Sequence, residues 1–283
     1  MIQSLTNSNL IKFISISLRP MTNQSSVNYK KRFVFFMIIA FSIFNNLSVA
    51  FSQDRKSEED WQFRMVPYAW VSALNGEVGL GPIVTDVNLS MSDILSNAEG
   101  ALMLGLDARK GRWNIGTDLF WAQLSDSAAT PRGEVFTNAE ITVNQILWTQ
   151  TVGYSVVKEK DQNIDFFTGF RLMYIDTELK LDGGLASSRK TTADEYWMDP
   201  IVGVRGQFDI ANTDLFIRGM GDIGGFSVSS QLTWQALMAL GYQYSESTVF
   251  GAGYRALGYD YRDNLFSYDA IQHGPVLGLE FYF

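Results

Sequence analysis

Residues 274–283 read GPVLGLEFYF, so in an extended strand Leu277, Leu279, Phe281 and Phe283 share one face and Glu280 points the other way. The last residues of a soluble domain are usually polar and frayed. This stretch has instead the period-2 alternation of a strand with one buried face.

The same alternation recurs back to Trp61. Strand-like segments rich in Val, Ile, Phe, Tyr and Trp fall at 61–74, 99–110, 112–125, 140–157, 163–180, 194–209, 212–225, 231–245, 248–260 and 269–283. They exceed the roughly 5–6 residues of an ordinary globular strand. They suit tilted strands crossing a bilayer, which need about 9–11 residues. The connections alternate in length. Short ones lie at 110–111, 158–162, 210–212 and 245–247, and longer or more polar ones at 75–98, 126–139, 181–193, 226–230 and 261–268. Tight turns on one side and longer loops on the other are the pattern of outer-membrane barrels. The expected fold is therefore all-β, a closed antiparallel transmembrane β-barrel of ten strands over residues 61–283, with eight or twelve strands as alternatives. Closure is required because an open sheet edge in hydrocarbon leaves backbone groups unsatisfied. Asn75-Gly76 is a hairpin signal, and residues 83–91 alternate after it. An eleventh crossing would put Phe283 on the wrong side, so this stretch is read as a hairpin or partly folded excursion in the first outer loop.

Parity along the strands separates two faces. The polar one carries Arg64, Arg109, Arg171, Arg205, Arg218 and Arg255 with Asp107, Asp118, Asp165, Asp199, Asp222 and Glu280. Facing lipid, Arg171, Arg218 and Arg255 would cost about 2–4 kcal/mol each near the midplane. Against a total stability of about 5–15 kcal/mol, that places the charged face in the lumen. Two roles follow for the set. It lines a path for ions or small solutes, or it is a hydrogen-bonded plug, the role favoured in so narrow a barrel with Phe167 and Met173 beside it. Trp61 and Trp113 are expected at the periplasmic rim, and Trp197 and Trp234 in the aromatic belt of the outer rim.

The segment KKRFVFFMIIAFSIFNNLSVAFSQ, residues 30–53, has a basic start, a twelve-residue apolar core from Phe33 to Phe44, and small residues Ala50 and Ser52 before Gln53. This is the layout of a cleaved secretory signal peptide, with an uncleaved anchor as the alternative. Residues 1–52 thus read as an N-terminal extension plus signal peptide, with Met1 or Met21 as the start, and 53–60 as a short periplasmic lead-in. Of the 22 basic residues five lie in 1–52, and none of the 30 acidic ones does, so the processed chain carries −13. Such a charge argues against nucleic acid as a partner. With no cysteine, disulfides and thiolate metal clusters are excluded.

Two motifs have plainer readings. Gly219, Gly221 and Gly224 match G-x-G-x-x-G, but between two strands, where glycine serves tight bends and packing rather than a dinucleotide. His273 is the only histidine, and parity points it at lipid headgroups rather than the lumen. No catalytic residue, cofactor or metal site is expected.

The stretches GDIGGFSVSSQLTWQALMALGYQYS (221–245), GYRALGYDYR (253–262) and QHGPVLGLEFYF (272–283) resemble the closing strands of uncharacterised bacterial outer-membrane barrels grouped with the OmpA-like and opacity-porin-like proteins. The resemblance covers residues 61–283 and carries no established activity. It implies an outer-membrane location in a Gram-negative bacterium and contact with outer-membrane lipid. It also implies that Leu277, Leu279, Phe281 and Phe283 are the C-terminal signal read by the barrel-assembly machinery.

Overall fold

The computed structural model describes residues 60–80, 83–129, 136–263 and 265–283; the expected signal peptide lies outside them. Twelve strands and one short helix follow in order. They are β1 (Gln62–Trp70), β2 (Ala73–Leu80), β3 (Ile83–Leu89), α1 (Met91–Ser96), β4 (Ala98–Lys110), β5 (Trp113–Ala129), β6 (Phe136–Lys158), β7 (Gln162–Gly183), β8 (Arg189–Asp209), β9 (Leu215–Gly225), β10 (Leu232–Ser245), β11 (Thr248–Arg262) and β12 (Phe266–Tyr282).

Ten of them close a barrel. Each of β4 to β11 pairs antiparallel with the next, β1 pairs with β4, and β1 and β12 meet at the seam. The seam runs from Arg64↔Tyr282 to Trp70↔Val276, and Phe283 and Phe63 exchange backbone bonds beyond it. The alternating terminal stretch is thus a closing strand with partners on both edges.

The remaining two strands form a hairpin on the outer side. β1 is shorter than the expected 61–74, because the chain bends at Val71-Ser72 and continues as β2 along the upper part of β12. Gly76 is required at that contact: its φ is +153°, and a Cβ there would sit 2.2 Å from the Asp269 carbonyl. β3 then pairs back on β2, and Val78, Val87 and Leu89 turn inward onto the barrel core. Helix α1 returns the chain to β4. Ser90 caps it, and Asp93 closes a capping box by accepting the Ser90 amide. That bond and the Ser90 hydroxyl hold the Asp93 carboxyl below the usual carboxylate range.

One feature of the hairpin register runs against charge. Asp86 stands opposite Glu77, Glu77 opposite Asp269, and Asp269 opposite Asp260, a row of four carboxylates across four neighbouring strands. Arg262 bridges the end of the row, donating to Asp260 at 2.8 Å and to Asp269 at 3.3 Å.

The two sides of the barrel differ. On the periplasmic side, β4 and β5 are joined by Gly111-Arg112, with Gly111 left-handed at φ +59°. On the outer side the strands outgrow the membrane. β6, β7 and β8 run 23, 22 and 21 residues, about twice what a crossing needs. Much of the expected outer loops at 126–139 and 181–193 is therefore strand. Those stretches are polar on the outside, where Lys180 pairs with Glu140 and Lys190 with Glu178, while Ile141, Val143, Ile175 and Leu179 keep the inner face apolar.

The outward face is apolar over the membrane-spanning height. Leu102, Phe166, Met198, Met238 and Leu277 are all exposed on it. Aromatic pairs lie on it, with Trp113 edge-on to Tyr154 at 5.1 Å near the periplasmic end and Trp148 edge-on to Phe170 at 5.1 Å higher up.

Candidate functional site

The lumen is where the chain concentrates its chemistry, and its contents are stacked in layers because each strand sends every second residue inward. All twelve charged residues singled out by parity project into it, but they do not form one cluster.

The lowest layer gathers on Asp165. Its fully buried carboxylate accepts from Arg109 at 2.7 Å, Arg205 Nε at 3.2 Å, Asn114 Nδ2 at 3.0 Å, Ser155 Oγ at 2.7 Å and Asn163 Nδ2 at 2.8 Å. Immediately above lies a belt of arginines and carboxylates. Arg64 donates to Asp107 (Nε, 3.0 Å) and to Glu280 (3.1 Å). Arg205 reaches Asp107 at 3.4 Å, and Arg218 pairs with Glu280 and donates to Gln207 at 2.7 Å.

A third layer holds two separate units. Arg255 donates to Asp118 at 2.7 Å, to Gln235 at 2.7 Å and to the Tyr68 hydroxyl at 3.0 Å. Arg171 grips Asp222 with two bonds of 2.8 Å and also donates to Thr233 at 3.2 Å. Both members of this pair are buried.

Asp199 departs from the expected arrangement. It points inward and is buried, but its partner is a turn rather than an arginine. The Ser230 amide donates to it at 2.7 Å and the Ser230 hydroxyl at 2.6 Å. The β9–β10 turn presents Ser230 because Phe226 and Ser227 both take left-handed conformations.

Above the charges the lumen is filled by an apolar layer. Trp70, Phe120, Leu147, Met173, Trp197, Leu257, Tyr259, Tyr261 and Tyr268 are all buried there, under the hairpin residues Val78, Val87 and Leu89. This corrects the placement of Trp197 in an outer-rim belt. Its ring lies inside, stacked 4.3 Å from that of Tyr261 at 9° and edge-on to Tyr259 at 5.6 Å. Trp234, flanked by inward Thr233 and Gln235, does face outward.

Two cavities occupy the charged half. A chamber of about 220 Å³ lies between the belt and the third layer, walled in part by Gly105, Gly251 and Gly278. A vestibule of about 310 Å³ lies below, lined by Arg109, Asn114, Lys158, Asn163 and Gln207 at the periplasmic ends of their strands. Arg64, Asp107, Arg205 and Arg218 border both, so the belt is a partition one residue thick.

The other motifs fall outside the lumen chemistry. Gly219, Gly221 and Gly224 all lie within β9, which a turn joins to β10 with no helix between them. His273 sits on the outer surface, its Nδ1 2.6 Å from the Tyr254 hydroxyl and its Nε2 3.0 Å from Asn75 Oδ1. Among the described residues no group of three or more His, Cys, Asp or Glu side chains is placed to hold a metal ion.

No protein-family model matches the chain, and no curated protein sequence does. Solved structures do. The outer membrane protease OmpT from Escherichia coli superposes with a TM-score of 0.56 over 82% of this chain and 99% of that one, at 8% identity. The chain folds as an outer-membrane β-barrel. Other matches are Ail, the attachment invasion locus protein of Yersinia pestis (TM-score 0.33, 10% identity, 80% of this chain and 99% of that one), and Neisserial surface protein A (0.30, 10%, 79% and 99%). A closed sheet, an apolar outward belt carrying aromatic pairs and an ionic interior together place this barrel in the outer membrane.

Proposed function

We propose that the protein is a non-enzymatic, non-conducting barrel that acts through its outer surface, with the lumen serving stability rather than transport. The observation that carries this reading is closure in series. A solute would have to part the Arg64–Asp107–Arg205 and Arg218–Glu280 belt and then displace a packed layer containing Trp70, Trp197 and Tyr259. Barrels with an open aqueous channel usually have 16–18 strands, and ten leave room for side chains to meet across the lumen. The tall β6–β8 wall and the β2–β3 hairpin supply the surface for contacts outside the cell. Against a Ser-His-acid site, the ring nitrogens of His273 are taken by the Tyr254 phenol and the Asn75 amide oxygen rather than by a serine and a carboxylate.

The test is conductance in planar bilayers, run on the wild type and on Arg218→Ala. Both are expected to remain at the bilayer baseline, because opening the belt leaves the apolar layer in place. The rival reading, a narrow channel for ions or small solutes gated by the belt, requires discrete steps in the wild type and larger ones in Arg218→Ala. That result would replace our reading with it.

A further inference from the structure

The four arginines around the vestibule share an asymmetry that plugging alone does not require. In each ion pair the carboxylate is at least as buried as its guanidinium. The Arg109 side chain is 27% exposed against 0% for Asp165, and Arg218 20% against 6% for Glu280. Arg64 and Arg205, at 21% and 19%, stand beside Asp107 at 19%. Asp165 and Glu280 sit back in the wall while the arginines line the space, and Asp107 is exposed to about the same degree as its arginine partners. Lys158 lines the same cavity, so five cations face it with Asp107, Asp165 and Glu159 as the acidic lining.

The donors are not all committed. A guanidinium has five N–H groups. Arg218 uses one on Glu280 and one on Gln207 in the bonds described above. Arg205 is held by Asp165 through Nε and by Asn114 through one terminal nitrogen, but its other terminal nitrogen reaches Asp107 at only 3.4 Å, a long contact that a better acceptor would outcompete. Amide side chains of Gln62, Asn163 and Gln207 complete the rim, with Asn163 donating to Asp165 and Gln207 to Asp209. Among the described residues the space opens downward. Above it come the partition, the chamber and the apolar layer, whereas its lower edge is formed by residues at the periplasmic ends of β1, β6, β7 and β12.

We infer that the vestibule is a periplasm-facing binding site for a small polyvalent oxyanion, held by the exposed edges of Arg109, Arg205 and Arg218 with Lys158 at the mouth. Carboxylate and phosphate oxygen pairs match guanidinium forks, and low-dielectric walls strengthen each contact. A volume of about 310 Å³ admits a phosphate- or polycarboxylate-sized solute with some of its water. Binding here needs no passage through the barrel, so it is independent of whether the lumen conducts.

The test is calorimetric titration of the folded, detergent-purified barrel with inorganic phosphate and, separately, with citrate, against sodium chloride of matched ionic strength. Saturable binding of at least one oxyanion, with no saturable response to chloride, is expected; the stronger of the two identifies the class as phosphate-like or carboxylate-like. Arg218→Gln and Gln207→Glu are expected to weaken it by about tenfold or more, the first by removing a donor and the second by setting a negative charge beside Arg218 in the rim of the vestibule. Gln207→Glu orphans no buried carboxylate, so it keeps the test open should Arg218→Gln fail to fold. Lys190→Gln, on the outer side, is expected to bind like the wild type. An absence of saturable binding in folded wild type overturns the inference. So does equal affinity in Gln207→Glu, or an equal loss in Lys190→Gln, either of which would mark non-specific attraction to surface cations.

Discussion

Arg171→Ala is expected to destabilise the barrel by about 3–5 kcal/mol, the loss typical of breaking a buried ion pair from one side. Arg171 is fully buried, and its guanidinium holds both oxygens of Asp222 at 2.8 Å while donating to Thr233. Removing it leaves a carboxylate in the wall with its strongest partner gone. The loss should be readable as a lower midpoint of urea unfolding in lipid vesicles, followed by heat-modifiable gel mobility. A second variant separates the worth of the pair from the cost of orphaning Asp222. Arg171→Met with Asp222→Leu removes both charges and restores packing, and should recover most of the lost stability. A single mutant within about 1 kcal/mol of wild type would mean that water reaches Asp222 freely, contrary to the burial seen here.

Trp197→Ala should cost a similar amount, about 3–5 kcal/mol, because it removes a large side chain from a packed interior. The ring is 3% exposed and touches Tyr259, Tyr261, Phe266 and Tyr268. The informative control is Trp234→Ala, where the indole lies on the outer face only partly buried and its loss should be distinctly milder. Unfolding midpoints of the two variants decide between an interior and a belt position for Trp197. Equal effects would return it to the rim, where its residue type alone would put it.

That residue type misled is instructive. Parity carried the sequence reading wherever a charge marked the inner face, as at Asp107 and Arg109 in β4 or Arg218 and Asp222 in β9. Trp197 is two residues before Asp199 and therefore inward by the same rule, as Tyr259 and Tyr261 are from Arg255. Aromatic rings serve both in interfacial belts and in cores, so composition could not choose between them; counting by twos could. The extent of β6 to β8 was hidden for another reason. Segments such as SSRKTTADEY carry turn-like residues on the water-facing side, and only the inward Ile141, Ile175 and Leu179 across the sheet reveal the strands. The partner of Asp199 depends on two left-handed residues in a neighbouring turn, which no pattern in β8 could announce. Asn114, Ser155 and Asn163 joined the Asp165 layer unnoticed because uncharged polar residues occur on either face.

The row Asp86, Glu77, Asp269 and Asp260 has a consequence for how the molecule answers to its surroundings. Like charges directly opposite in a sheet repel, so the β2–β3 flap is held down by Val78, Val87 and Leu89 while its outer surface pushes it off β12. Dissolved ions weaken that push, since the screening distance falls from about 30 Å at 0.01 M to about 10 Å at 0.1 M and 3 Å at 1 M. The flap should therefore be firmest in brine and loosest in fresh water, the reverse of a clasp made from opposite charges. Protease nicking at the β2–β3 tip would slow as sodium chloride is raised, and a rate indifferent to salt would show that the carboxylates are already neutralised by other means.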